Sequence, residues 1–595
     1  MTQYIAPEEE VEFVLKHLCN MGALQALPGF EEASPDIVAA ILEEAAKFAQ
    51  NELVDLNAQG DQEGVKITTN GVQSAAGYKE AYAQFIESGW LGLAQPIEFG
   101  GQGLPFSLHM AVCEFLNSAN LSFALCPMLS ASGIDALQAH ASNDLKNKYL
   151  EKMVSGEWTG TMLLTEPQAG SDLAALRCSA VPNDDHYLIT GTKIFITWGD
   201  HDMTDNIIHF VLARLPDAPE GVKGISLFLV PKFLVNDDGS LGELNDVKAL
   251  SIEHKLGIHA SPTCVMNLGD GDINDKGGAI GYLVGEEHKG LHCMFTMMIH
   301  ARLEVGLEGV SLSERAYQGA VHYALERKQG EKPNHEDKVC IAEHADVRRM
   351  LMLMRSLTEA SRALSYVGAA SYDHSKKNLD TELKKYHRIR LDLLTPVIKG
   401  WATEVSQEVT SLGVQVLGGM GYIEEAGMAQ HYRDARITTI YEGTTGIQSN
   451  DLIGRKLIRD NGKGMNIVIS EIEETIKQLK DTPELWGFDF NLEFGLMCLK
   501  TATGAILENS DESYDYAGSV SVNFLMLTGT VLGAWQMCLA ALAVNNASDV
   551  SEKFKTNKLA TTHFYMKHVL PRAHAYAETV INGYDSVMGI PVDHL

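Results

Sequence analysis

The sequence predicts a mainly α protein with a central β-domain and a further helical domain at its C-terminal end. Three observations carry this. Apolar residues recur at three and four over most of the first 150 positions, as in PDIVAAILEEAAKFAQNELV. Near Trp158 the texture changes to short apolar runs separated by Gly, Asp and Pro. Helical spacing then returns and continues to the end. At 595 residues the chain exceeds one hydrophobic core. It divides into an N-terminal extension (1–40), a helical domain (41–157), the β-domain (158–288), a helical bundle (289–458) and a last helical domain (459–595).

In chain order, LGLAQPIEFGGQGLP (91–105) reads as a loop, and DLKNKYLEKMVSG carries helical charge placement. HYLITGTKIFITWGD alternates across Gly191 like two strands around a turn. Further strands are expected at 206–215, 225–232, 264–270 and 279–285. Leu303, Leu307, Val310, Tyr317, Val321 and Leu325 share one face of a long helix. After the link RDNGKGMN, Met465, Val468, Ile472, Ile476 and Leu479 form another stripe, and 520–545 is apolar enough for a buried helix.

Forty-seven basic residues against 78 acidic give a net charge of −31. Such a surface repels phosphate backbones and anionic lipid, so nucleic acid and membrane insertion are not expected. No run approaches the roughly 18 apolar residues that a membrane-spanning helix needs. The N-terminus has neither a basic start nor an apolar stretch, and nine scattered cysteines form no CxxC pair. A cytoplasmic protein with reduced thiols and no metal is expected.

Three segments can carry chemistry. TMLLTEPQAGSDLAAL (161–176) exposes backbone N–H groups and hydroxyls at a bend, with a Ser or Asp N-cap as the alternative reading. In KIFITWGD (193–200), strand alternation puts Phe195 and Thr197 on one face and Ile194, Ile196 and Trp198 on the other. The third is SLGVQVLGGMGYIEEAG (411–427) followed by HYRDARITTIYEGTTGIQSNDLIGRK (431–456), where Glu442 sits at a helix mouth. An acid there gains from the helix dipole as a cap, or it faces a substrate that Gly443 lets approach.

Together and in this order these segments resemble the acyl-CoA dehydrogenase family, from about residue 40 to residue 456. The resemblance implies that family's helical, β and helical-bundle domains, with FAD between the β-domain and the bundle. It implies flavin contacts from Met162, Leu164, Thr165, Gly170, Ser171, Phe195, Ile196, Thr197, Thr444 and Gly446. Arg327 would reach the flavin pyrophosphate of a neighbouring subunit, and Gln415, Gly418 and Gly419 its adenine side. Glu442 falls at the family's catalytic base. Ser171, Ile299, Arg302, Tyr441 and Gly443 would lie along the acyl-CoA.

The chemistry explains why an acid is wanted. Oxidising a thioester between its α and β carbons removes a weakly acidic α proton while a hydride leaves the β carbon, so a base must be positioned. Desolvation by an acyl chain raises a carboxyl's pKa and makes it a better base. Some members carry the base near ARLEVGLEG instead; here that place is Ala301, which takes no proton, and Glu304 reads as structural. The chain departs from the family in Gly330 and the polar insertion of ERKQGEKPNHEDKV, in Phe195 where Trp is frequent, and in both extensions. The extensions resemble those of a long bacterial branch, usually dimeric. That branch includes enzymes of dimethylsulfoniopropionate breakdown acting on 3-methylmercaptopropionyl-CoA, and others acting on straight medium and long acyl chains. An electron-transfer flavoprotein is the implied partner. The alternatives are an oxidase on the same scaffold and, from another class, a flavin-retaining nucleic-acid-binding relative.

Overall fold

The computed structural model describes residues 4–274, 276–332, 338–509 and 514–594. The chain forms two compact units. One comprises Lys47–Leu104 and Ala119–Ala301, the other Met1–Ala46, Pro105–Ser118 and Arg302–Leu595. Residues 333–337 of the polar insertion lie outside the described residues.

Among the described residues the first unit holds all twelve strands: β1 (Lys66–Thr68), β2 (Gly71–Gln73), β3 (Trp158–Leu163), β4 (Ser179–Asn183), β5 (His186–Thr197), β6 (Asn206–Arg214), β7 (Ile225–Pro231), β8 (Phe233–Val235), β9 (Leu241–Leu244), β10 (Val247–Ile252), β11 (Thr263–Leu268) and β12 (Ala279–Val284). Eight of them make one sheet in the order β10-β11-β5-β12-β7-β6-β3, with β4 beside β5 and β6. Its core includes Leu163, Ile189, Ile196, Val211, Phe228 and Cys264. The four separate strands expected from 206 to 285 are present as β6, β7, β11 and β12.

Three expectations need correction here. The His186–Thr197 segment is one strand, not two around a turn. Gly191 takes φ +147°, which a side chain would resist, and an added Cβ would meet Cys178 at 3.0 Å; glycine lets the strand run straight through. Strict alternation also fails between Lys193 and Thr197. Lys193 pairs with Met266 and Ile196 with Cys264, so one extra residue bulges out of β5, and Phe195 sits there at φ +60°. The hairpin of β1 and β2 interrupts the helical N-terminal domain at Asn70-Gly71, a turn signal overlooked among helical text.

The second unit is helical. Helices Ala345–Lys377 and Thr381–Leu417 pack along each other. The 302–326 portion of helix Gly290–Glu326 lies close against Thr381–Leu417: a Cβ on Gly306 would meet Ile398 Cγ2 at 2.5 Å, and one on Gly309 the Ala402 carbonyl at 2.6 Å. Leu303, Leu307 and Val310 are buried, but the predicted stripe ends at an exposed Leu325. The C-terminal helices follow, with all five residues of the Met465–Leu479 stripe buried on helix Lys463–Lys480. Gly529 and Gly533 of helix Tyr514–Asn546 lie over the Trp401 ring.

Charged groups tie distant segments of this unit together. Arg362 bonds Glu114 at 2.6 Å and Glu314 at 2.7 Å, while the Tyr366 hydroxyl donates to Glu114. Lys558, from the C-terminal domain, pairs with Glu10 of the N-terminal extension and with Glu359. Among the described residues two helices are long and apolar enough to cross a membrane, Phe106–His140 and Asp515–Asn546, which corrects the expectation that no run comes near that length. Both are buried over almost all of that stretch, as core helices are.

Candidate active site

In the helical unit the Tyr441–Thr444 loop links helix Met428–Thr438 to the short helix Thr445–Asn450. Thr444 is the cap, its Oγ1 accepting from the Ile447 N–H at 3.2 Å. With that terminus capped, Glu442 is not needed as its cap. It takes φ +52°, a left-handed conformation that costs a non-glycine residue on the order of 1–3 kcal/mol and persists only where the surroundings hold it. Gly443 continues at φ +88°, and a Cβ there would press to 2.8 Å from the Gln448 amide.

What holds the loop lies beneath it. The Lys399 ammonium, fully buried on helix Thr381–Leu417, donates to the Gly443 carbonyl at 2.6 Å. The Gln448 amide donates to the Glu442 carbonyl at 3.0 Å and to that of Gly443 at 3.4 Å. The Tyr441 hydroxyl donates to Glu308. Arg302, 7% exposed, bonds Asp451 at 3.3 Å.

The electrostatics of the group follow from burial. Glu442 is half-buried; burial raises its pKa, and the Arg302 and Lys399 cations pull it part of the way back. Burial pushes Glu308 up to about 8, helped by Glu304 and Glu442 and opposed by the Tyr441 hydroxyl and Lys399. Burial brings Lys399 down to about 8 against the pull of Glu442 and Glu308. Arg302 Nε, Glu308 Oε1 and Gln448 Oε1 are buried with no hydrogen-bond partner among the described residues, a frequent feature of functional sites. Glu304 is buried against His109 at 2.9 Å, in agreement with a structural reading.

In the β-containing unit the bend after β3 and the strand β5 are joined. The Ile194 N–H donates to the Thr165 carbonyl at 2.9 Å, and the buried Lys193 ammonium donates to the Leu164 carbonyl at 3.1 Å. Lys193 also pairs with Glu166 at 2.9 Å, and Glu166 accepts the N–H groups of Arg177 and Cys178. Burial would raise the Glu166 carboxyl, but Lys193 and those two N–H groups outweigh it and hold it below the usual range. Asp172 caps the 3₁₀ turn Leu173–Ala175, as the alternative reading of the bend allowed. Phe195 stands 60% exposed on its bulge, Thr165 and Thr197 are half-buried, and Gly170 and Ser171 are exposed, whereas Met162 and Ile196 are buried.

The predicted residues therefore gather in two sets. Tyr441, Glu442, Gly443, Thr444, Gly446 and Arg302 belong to the loop and its surroundings; the 162–171 and 195–197 residues lie in the β-containing unit, as does the half-buried Ile299. Arg327, Gln415, Gly418 and Gly419 are exposed and make none of the loop's contacts described above. Lys399, Glu308, Gln448, Glu166 and Lys193 were not predicted. Lone charges inside apolar text, as in LLTPVIKGWA, were the available signal.

Four family models cover most of the chain: "Acyl-CoA dehydrogenase, N-terminal domain" at 37–157, "middle domain" at 161–270, "C-terminal domain" at 288–457 and "Acetyl-CoA dehydrogenase C-terminal like" at 468–591. The chain belongs to the acyl-CoA dehydrogenase family. It is similar to the 3-methylmercaptopropionyl-CoA dehydrogenase of Ruegeria pomeroyi, 43% identical over 98% of this chain and 99% of that one. A butyryl-CoA dehydrogenase of Syntrophomonas wolfei is 32% identical over 96% and 95%. Among solved structures, an acyl-CoA dehydrogenase of Bacillus anthracis complexed with FAD has the same fold, with a TM-score of 0.74 at 21% identity over 94% of this chain and 90% of that one. As a member of the acyl-CoA dehydrogenase family the chain is an oxidoreductase, mainly helical with a central sheet and a helical C-terminal domain beyond the bundle.

Proposed function

We propose that this acyl-CoA dehydrogenase desaturates an acyl-CoA thioester to the trans-2-enoyl-CoA, with Glu442 as the base that takes the α proton. The observation that carries the assignment is an acid locked at φ +52° whose carboxyl resists ionisation through burial yet keeps two cations beside it. Such an acid is ionised enough to accept a proton and basic enough to want one. Arg302 and Lys399 offset charge on the carboxylate.

The cofactor we assign is FAD, which accepts the β-hydride when bound. The residues present fit a flavin: Phe195 offers an exposed flat face, and open space surrounds Gly170, where a Cβ would meet nothing within 4 Å. Met162, Leu164, Thr165, Ser171, Ile196, Thr197, Thr444 and Gly446 complete the assignment, with Ser171, Ile299, Arg302 and Tyr441 along the substrate. The exposed Arg327, Gln415, Gly418 and Gly419 suit contacts to a second subunit's cofactor, so we assign a homodimer. Nine free cysteines support a cytoplasmic location, and an electron-transfer flavoprotein is the proposed electron acceptor.

The likeness to the Ruegeria pomeroyi enzyme makes 3-methylmercaptopropionyl-CoA the first substrate to try and a role in dimethylsulfoniopropionate breakdown the matching context. Butyryl-CoA is the rival. A panel of acyl-CoAs with ferrocenium as acceptor decides between them: a higher kcat/KM for the straight chain would displace the sulfur-containing thioester. Glu442→Gln is expected to keep yellow flavin and bind acyl-CoA while turnover falls at least about 100-fold. Wild-type turnover in that variant removes Glu442 from the mechanism.

A further inference from the structure

We propose that Lys399, on helix Thr381–Leu417, is a positioning residue for the reaction: a buried cation that holds the loop carrying Glu442 and biases its carboxyl toward the ionised form. The inference rests on the reading of Glu442 as the base. Its footing is geometric. Lys399 projects from helix Thr381–Leu417 where Gly306 and Gly309 let the neighbouring helix come close, so its backbone is fixed on both sides. Its ammonium meets the Gly443 carbonyl at 2.6 Å and makes no ion pair within 4 Å among the described residues.

Its charge is therefore not spent locally. Arg302, the other cation near Glu442, is engaged with Asp451, and Asp451 also meets Arg455. Of the acids facing Lys399, Glu404 accepts from the Thr445 hydroxyl and Glu308 from that of Tyr441. Glu308, with Glu304 nearby on its own helix, holds its proton up to about pH 8, so around neutrality it leaves the lysine uncompensated. Of the acids that act on the lysine, Glu442 pulls most strongly, ahead of Glu308 and Glu404. A cation in such a low-dielectric place acts strongly on a nearby carboxylate.

The test uses full-length holoenzyme and the pH dependence of kcat/KM, whose acid limb reports the base in the free enzyme. The substrate is 3-methylmercaptopropionyl-CoA or butyryl-CoA, whichever the wild type turns over faster. Lys399→Met is expected to move the acid limb upward by about one pH unit and to lower the plateau about tenfold. Lys399→Arg, which keeps the charge, is expected to bring the limb back toward wild type. A merely structural lysine would lower the plateau without moving the limb, and that result overturns the inference, as does a limb that the arginine fails to restore. Should Lys399→Met not accumulate as folded flavoprotein, Lys399→Gln keeps a donor for the Gly443 carbonyl and must show the same shift. Glu442→Gln separates the two claims: if it is fully active the base assignment fails, whereas an inactive Glu442→Gln beside an unmoved limb in Lys399→Met defeats this inference alone.

Discussion

Glu442 illustrates how a residue's surroundings decide its chemistry. The same carboxyl at an exposed cap would titrate like any glutamate and gain up to about 1 kcal/mol from the dipole. Here Thr444 is the cap, and Lys399 and Gln448 hold the carbonyls on either side of the strained peptide. Because burial raises its carboxyl, the acid limb of kcat/KM should lie above the ordinary glutamate range; a limb near pH 4 would contradict that placement. A second residue-scale test concerns the buried pair Lys193–Glu166. Lys193→Met leaves Glu166 buried without its cation, and the expected loss of stability is about 3–5 kcal/mol, read from denaturant unfolding. A loss below 1 kcal/mol would mean that the bend after β3 does not depend on this pair.

At the scale of elements, close approach between backbones sets where the site's side chains start. Gly309 touches the Ala402 carbonyl, three residues along the helix from Lys399. Gly309→Val would force helices Gly290–Glu326 and Thr381–Leu417 apart; the expected cost is about 1–3 kcal/mol of stability together with a fall in turnover, since Lys399 moves with its helix. Unchanged stability and turnover would show that the helices do not need this contact. The bulge in β5 plays a comparable part for Phe195. Period-two reading of residues 194–198 missed it, because a bulge is a register mismatch with β11, more than sixty residues later in the chain.

For the whole molecule, buried titratable groups set opposite limits on the pH range. Burial raises Asp373 to about 7 and Glu308 to about 8, so the folded chain keeps protons that the unfolded chain releases above about pH 4. The stability from these two is complete below that point and is lost as pH rises through 7 and 8. His201, His209 and His431, each lowered to about 3 by burial, act the other way: their contribution is present above about pH 6.5 and is lost as pH falls toward 3. Thermal unfolding followed across pH should therefore show a maximum on the acid side of neutrality, and Glu308→Gln should flatten the fall from that maximum up to about pH 8. A fall of wild-type size in that variant would remove Glu308 as its cause. The net charge of −31 adds self-repulsion, so moderate salt should raise the melting temperature.

The order of helical, β-rich and helical segments, the buried helix near 520–545 and the loop bearing Glu442 were legible in the sequence, because periodicity and a distinctive run of residues are local properties of a chain. The five-segment division remains our proposal on the same footing. Lys399, Glu308 and Gln448 were not legible. Each is a polar residue in text that reads as helix core, and nothing along the chain says which carbonyl or hydroxyl a buried charge will meet. Gly191 read as a turn because a glycine between two alternating runs has two local solutions; only pairing with β4, β11 and β12 chose the straight one. The identity of the acid belonged to the sequence, whereas its proton affinity was decided in three dimensions, since desolvation and Coulomb forces act between groups that the chain keeps far apart.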